Sequence, residues 1–145
     1  MSEERKTKLR SLVEKILSEG NLDAMDELYA PSIVRHAGPP LPDLEGIDAY
    51  KQYLGSGLGG VYSDPQLTFE DIICEGDTCA MRYTMQMTHT GYNPVFDLQV
   101  TAKRASLAAS ITSRWEDDKI VEEWVIADLL GFLQQLGATA APGQS

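Results

Sequence analysis

At 145 residues, with 43% hydrophobic and 23% charged side chains, the chain is long enough for one domain with a real core and too apolar to be disordered throughout. Twelve Lys and Arg against 22 Asp and Glu give a net charge of −10, which leaves no basic footprint for nucleic acid or an anionic membrane surface. No uninterrupted apolar stretch approaches the roughly 20 residues of a membrane span.

Residues 3–19 read as an amphipathic helix. Leu9, Leu12, Val13, Ile16 and Leu17 recur at helical spacing, and Gly20 stops it. Asn21 is placed to cap a second short helix that carries Leu22, Met25, Leu28 and Tyr29, with Pro31 as its end. An extended piece, Ile33 to His36, leads into Gly38-Pro39-Pro40-Leu41-Pro42, a stiff strap rather than a linker. A third helix starts near Gly46, with Ile47, Tyr50, Tyr53 and Leu54 on one side. The Gly-rich run at 55–60 follows a helix rather than a strand, so it is a helix exit and not a phosphate loop.

From residue 66 the apolar period becomes two, with strands predicted over 67–74, 78–90, 99–115 and 119–127. Turns at Glu75-Gly76-Asp77 and Glu116-Asp117-Asp118 join the first pair and the last. Residues 129–136 form a closing helical turn or two, ended by Gly137. The domain is predicted to span 1–137, with 138–145 as a flexible tail. Cys74 and Cys79 flank the first turn. They read as reduced cysteines used as small apolar residues, with a cross-strand disulfide as the alternative. The N-terminus, MSEERKTKLR, has no apolar segment of a signal peptide, so the sequence predicts a cytoplasmic protein.

Helices first and a long antiparallel sheet afterwards make an α+β pattern, with the helices packed on one face. A curved sheet closed by helices forms a cone with a pocket for a small molecule.

The chain resembles the SnoaL-like polyketide cyclases of the NTF2-like superfamily. The resemblance is carried by residues 20–31 (GNLDAMDELYAP), His36 with its trailing prolines, and Gly46 with Tyr50 and Leu54. It continues through Glu75-Gly76-Asp77, Thr88-His89-Thr90-Gly91, residues 119–124 (KIVEEW), and Asp128 followed by residues 134–137 (QQLG). It runs over about residues 8–137. It implies an NTF2-like cone and a cofactor-free, aldol-type ring closure of a polyketide ester. Two places depart from the family pattern. Val100-Thr101-Ala102-Lys103 stands where Pro-Thr-Gly-Lys is usual, so that loop is expected to differ. Asp118 stands where a turn glycine is usual, a replacement that the left-handed tolerance of aspartate allows.

The resemblance assigns the acid/base role to Asp128. An acid in an apolar cavity is costly to ionise, so its pKa rises toward neutrality. The competing role for Asp128 is N-cap of the closing helix. The family's turn glycine implies a three-residue hairpin loop, which pairs Arg114 with Ile120, Thr112 with Glu122 and Ser110 with Trp124. The even-numbered residues then share a pocket wall with Asp128, namely Arg114, Thr112 and Trp124. Arg114 would hold a substrate oxygen, or else pair with a neighbouring acid. His89 lies at the open end of the apolar face Met81-Tyr83-Met85-Met87, as an oxygen contact or a satisfied core residue. Met85 and Met87 suit a flat apolar ligand. His36 is a candidate for the pocket mouth, and Tyr50 and Tyr53 for its helical side.

Two distant histidines make no metal site, and no nucleophile elbow appears, so acid–base chemistry without metal or cofactor is expected. The expected partners are a hydrophobic small-molecule substrate and a second copy of the chain. Leu107, Ile111 and Trp115, opposite the face assigned to Asp128, motivate a homodimer or a higher homo-oligomer. The rival readings are a non-catalytic binding or dimerising module, and an isomerase or epoxide hydrolase in the same kind of pocket.

Overall fold

The computed structural model describes residues 2–137. Helix α1 (Ser2–Leu17) buries Leu9, Leu12, Val13 and Ile16 against the sheet. Gly20 follows with φ 69°, a left-handed turn that suits glycine. A 3₁₀ turn (Leu22–Ala24) and α2 (Met25–Leu28) bury Met25 and Leu28. Strand β1 (Tyr29–Ala37) comes next, then β2 (Leu44–Glu45) and α3 (Ile47–Ser56). A π-turn over Gly57–Val61 leads to β3 (Tyr62–Glu75), β4 (Thr78–His89), β5 (Arg104–Glu116), β6 (Lys119–Ala127) and α4 (Leu129–Gln135). The predicted tail, 138–145, lies outside the described residues.

The strands form one curved six-stranded sheet in the order β2-β1-β6-β5-β4-β3. The α+β cone is therefore as expected, with one correction. β1 runs parallel to β6, so the sheet is mixed rather than antiparallel. Pro31 lies inside β1 instead of merely ending a helix. It falls in the stretch between Tyr29 and Val34 where the register with β6 shifts, a place that needs no ladder donor.

The last hairpin also differs from expectation. Glu116 pairs with Lys119 across a two-residue turn, and Asp117, not Asp118, takes the positive φ of 56°. A bulge then skips Val121, so Trp115 pairs with Ile120, Arg114 with Glu122 and Thr112 with Trp124. Past the bulge, the even-numbered residues Arg114, Thr112, Glu122 and Trp124 still share a face, but it is the face turned away from the helices. The helix-facing side takes Ile111, Ser113, Trp115, Ile120, Glu123 and Val125, all buried. Leu107, Ile111 and Trp115 thus pack inward and do not supply an outer dimer face.

The first hairpin sets Cys74 directly opposite Cys79, Cα–Cα 4.1 Å, and the two are joined as a disulfide. The expectation of two reduced cysteines is corrected: the two-residue turn at Gly76-Asp77 makes them a cross-strand pair. In the 100–103 loop, Ala102 takes φ 59°, the backbone that a glycine would adopt there. Its N–H donates to His89 O, and His89 N–H donates to Lys103 O, so the loop keeps a glycine-like course without the glycine. Gly91 is also required by space. A Cβ there would lie 1.7 Å from Gly60 O, because the 90–91 backbone packs on the π-turn. No described helix is long and apolar enough to cross a membrane.

Candidate functional site

Between the helices and the concave face of the sheet lies a chamber of about 350 Å³. Its walls are mainly apolar: Met85 and Met87 from β4, Leu107 from β5, Phe132 from α4, and Tyr53 and Leu54 from α3. Pro94, Val95 and Phe96 of the β4–β5 loop form part of its border, with Leu41 from the proline-rich strap. Asn93 braces that loop. Its side chain accepts from the Val95 and Phe96 N–H groups and donates to Tyr62 Oη at 2.7 Å. A smaller recess of about 60 Å³ lies deeper, lined by Tyr29, Tyr50, Met81, Ser113, Ile120 and Glu123. Leu17, Arg35, Leu54, Tyr83 and Val125 wall both spaces.

The recess holds the unusual chemistry. Glu123 is 1% exposed. Tyr50 donates to its Oε1, and Tyr29 donates to its Oε2 at 3.3 Å. Burial raises the Glu123 pKa, and the two tyrosine hydrogen bonds and Arg35 only partly oppose that rise. Burial and the nearby Glu123 also push Tyr29 and Tyr50 well above the ordinary phenol value, and raise Tyr83 to about 12. These phenols are therefore neutral hydrogen-bond donors at any ordinary pH.

Arg35 is 6% exposed, and its Nε and Nη1 have no hydrogen-bond partner. The guanidinium carbon lies over both rings, 5.4 Å from the Tyr50 centroid and 5.0 Å from that of Tyr53. Burial works against its charge, but coupling to Tyr50, Tyr53 and Glu123 outweighs burial, and its pKa moves up.

Of the residues singled out in the sequence, Tyr50, Tyr53, Met85 and Met87 line these spaces. His89 is fully buried beside them, its ring 5.7 Å from that of Tyr62. Its Nδ1 lies 3.2 Å from the Thr101 nitrogen and 3.0 Å from Thr101 Oγ1, and its Nε2 has no partner.

The remaining candidates lie elsewhere. His36, Thr112, Arg114 and Trp124 do come together, but on the outer face of the sheet. There His36 Nε2 lies 2.6 Å from Glu122 Oε2, and Arg114 donates to Glu122 Oε1 at 3.2 Å. The imidazole of His36 stacks on Trp124 with centroids 5.5 Å apart. Hydrogen bonds from His36 and then Arg114 hold the Glu122 carboxyl below its usual range. The expected pocket wall of Arg114, Thr112 and Trp124 is thus corrected to an outer cluster, because the inward positions on β5 and β6 are mostly odd-numbered.

Asp128 is exposed. It sits between two lining residues, Ala127 and Leu129, but its Oδ1 accepts from Gly131 N–H at 2.9 Å as the N-cap of α4. A Cβ at position 131 would lie 2.3 Å from Asp128 Oδ2, so the glycine makes room for the cap. The apolar surroundings expected for Asp128 are therefore found around Glu123 instead.

Comparison with known proteins fits this architecture. Residues 7–136 match the family model described as SnoaL-like polyketide cyclase. The chain belongs to the SnoaL-like polyketide cyclase family. Among solved structures, AclR from Streptomyces galilaeus, a candidate hydroxylase, is 25% identical. That match has a TM-score of 0.83 and covers 97% of this chain and 89% of the other. A candidate polyketide cyclase from Acidithiobacillus ferrooxidans is 24% identical with a TM-score of 0.79, over 94% and 96% of the two chains. A protein from Catenulispora acidiphila described as having a ketosteroid isomerase-like fold matches at 12% identity, TM-score 0.75, over 92% and 97%. No curated protein matches the chain.

Sequence reasoning missed Glu123 and Arg35 of this SnoaL-like site. For Arg35 a signal was present. Ile33 and Arg35 share a face of an extended segment, so the inward position of Ile33 carried Arg35 inward too.

Proposed function

We propose that this SnoaL-like protein closes a ring in a polyketide-type chain without a cofactor, by acid–base chemistry at the junction of chamber and recess. The observation that carries the reading is a buried carboxyl, Glu123, held by two phenols at the inner end of an apolar cavity. A raised pKa makes its ionised form a stronger base.

In this reading the Glu123 carboxylate takes a proton from a carbon between two carbonyls. The resulting enolate carbon attacks a second carbonyl carbon of the same molecule and forms the new C–C bond. The oxygen of that carbonyl becomes an alkoxide, and Glu123 returns the proton to it, so the step is balanced. Tyr83, which walls both spaces, supplies a neutral donor to the developing oxygen charge. Tyr29 and Tyr50 fix the carboxyl group. Folding the chain inside the cavity supplies the proximity.

The family resemblance supports Asp128 as the acid/base instead, with Arg114 and His89 as oxygen contacts. Two substitutions separate these readings. Glu123→Gln is expected to abolish turnover of a cyclisable substrate, and Asp128→Asn, which keeps a good N-cap, to retain it. The reverse pattern would move the base to Asp128.

A second reading is a binding module without chemistry. It is favoured by the outward carboxyl of Asp128, already engaged by Gly131 N–H. Under it, neither substitution alters any turnover because there is none.

Pairing of two copies belongs to the same proposal. Trp124 and Ile126 on the outer face are 40% and 76% exposed, which suits a sheet-to-sheet homodimer.

A further inference from the structure

Arg35 has no part in the proton transfers above, yet its placement is costly. A cation taken out of water needs hydrogen-bond partners, and Glu123, which favours the Arg35 charge, spends its hydrogen bonds on Tyr29 and Tyr50 and leaves donors of the buried guanidinium idle. No ion pair among the described residues involves Arg35. The guanidinium lies over the rings of Tyr50 and Tyr53, while its buried Nε and Nη1 have no hydrogen-bond partner. Arg35 also walls both the chamber and the recess.

We propose that the chamber binds an elongated, apolar carboxylic acid, with Arg35 holding the carboxylate at the buried end. The planar fork of a guanidinium matches a carboxylate, and hydrogen bonds between two charged groups are about twice as strong as neutral ones. Arg35 is the one charged residue among the described residues that line the chamber, which fits a single negative charge better than a phosphate bearing close to two. Met85, Met87, Leu107 and Phe132 receive the apolar body, and a volume of about 350 Å³ has room for three fused rings. This inference rests on the reading of the cavity as the substrate site and adds a free acid group to the substrate, where the family resemblance implies an ester. It does not depend on which residue moves the proton.

The test is equilibrium binding of 2-anthroate, a fluorescent three-ring carboxylate, against its methyl ester. The two share shape and differ in charge. Wild-type protein is expected to bind the acid about tenfold or more tightly than the ester, as loss of a charge-assisted hydrogen bond implies. Arg35→Met should lose that preference while keeping the ester affinity. Equal binding of acid and ester by the wild type would overturn the proposal, as would binding of neither. A preference that survives in Arg35→Met would overturn it too. The wild-type comparison stands even if the variant fails to fold. Turnover is not read here: the affinity ratio is measured on wild type and Arg35→Met, while ring closure by Glu123→Gln tests only the catalytic reading.

Discussion

Tyr50 on α3 donates its phenolic hydrogen bond to Glu123 on β6, tying the helical layer to the sheet across the inner recess. Tyr29, at the start of β1, reaches the other carboxyl oxygen, and its ring lies 5.1 Å from that of Tyr50. A buried acid is thereby clamped between a helix and two neighbouring strands.

That clamp has a pH dependence with a definite sign. Burial raises the folded-state pKa of Glu123 above its unfolded value. The folded protein then binds the Glu123 proton more tightly than the unfolded chain does. The associated stability is fully present below the unfolded pKa and is lost as pH rises through the folded pKa. Glu123→Gln removes the ionisation. Its melting temperature relative to wild type should therefore be higher at about pH 8 than at about pH 3, two values on either side of the ordinary carboxylate range. A difference that does not change with pH would mean that Glu123 titrates as an exposed carboxyl does.

The loop that closes the open end of β4 carries backbone strain at a defined place. Ala102 sits at φ 59° and is fixed by its hydrogen bond to His89 O. An L-residue in that region costs roughly 1–2 kcal/mol, while glycine gives up more chain entropy on folding. Ala102→Gly is expected to stabilise the protein by about 1 kcal/mol in urea unfolding, the balance of those two effects. A loss of stability would show that the left-handed backbone at 102 is not adopted in solution.

The outer face of the sheet carries Trp124 and Ile126 beside the His36–Glu122–Arg114 cluster. If two copies pair there, a double substitution, Trp124→Glu with Ile126→Lys, should halve the mass seen by light scattering. The secondary structure should be preserved, because neither side chain is buried in the single chain. A wild-type protein that is monomeric at all concentrations would remove this face as an interface.

Much of the fold was legible because two periodicities carry it. The α1 residues Leu9, Leu12, Val13 and Ile16 repeat at helical spacing, and the β4 residues Met81, Tyr83, Met85 and Met87 alternate; both sets are buried as read. The site was less legible because it depends on which face of the sheet is concave. Glu122 and Glu123 are adjacent and chemically alike, yet one faces outward to His36 and the other is the buried acid. The bulge at Val121 sets the register of β6, and no residue there announces it. The parallel pairing of β1 with β6, which brings Arg35 next to Glu123 in register, joins segments some ninety positions apart and leaves no local pattern.

Turnover of a cyclisable polyketide-type substrate by purified Glu123→Gln protein, beside Asp128→Asn, measures the central claim most directly. With the buried acid as the base, Glu123→Gln should lose about 10²–10⁴-fold in rate, the usual worth of a positioned acid–base group, and Asp128→Asn should stay near wild type. A Glu123→Gln enzyme that turns over at the wild-type rate would contradict the account.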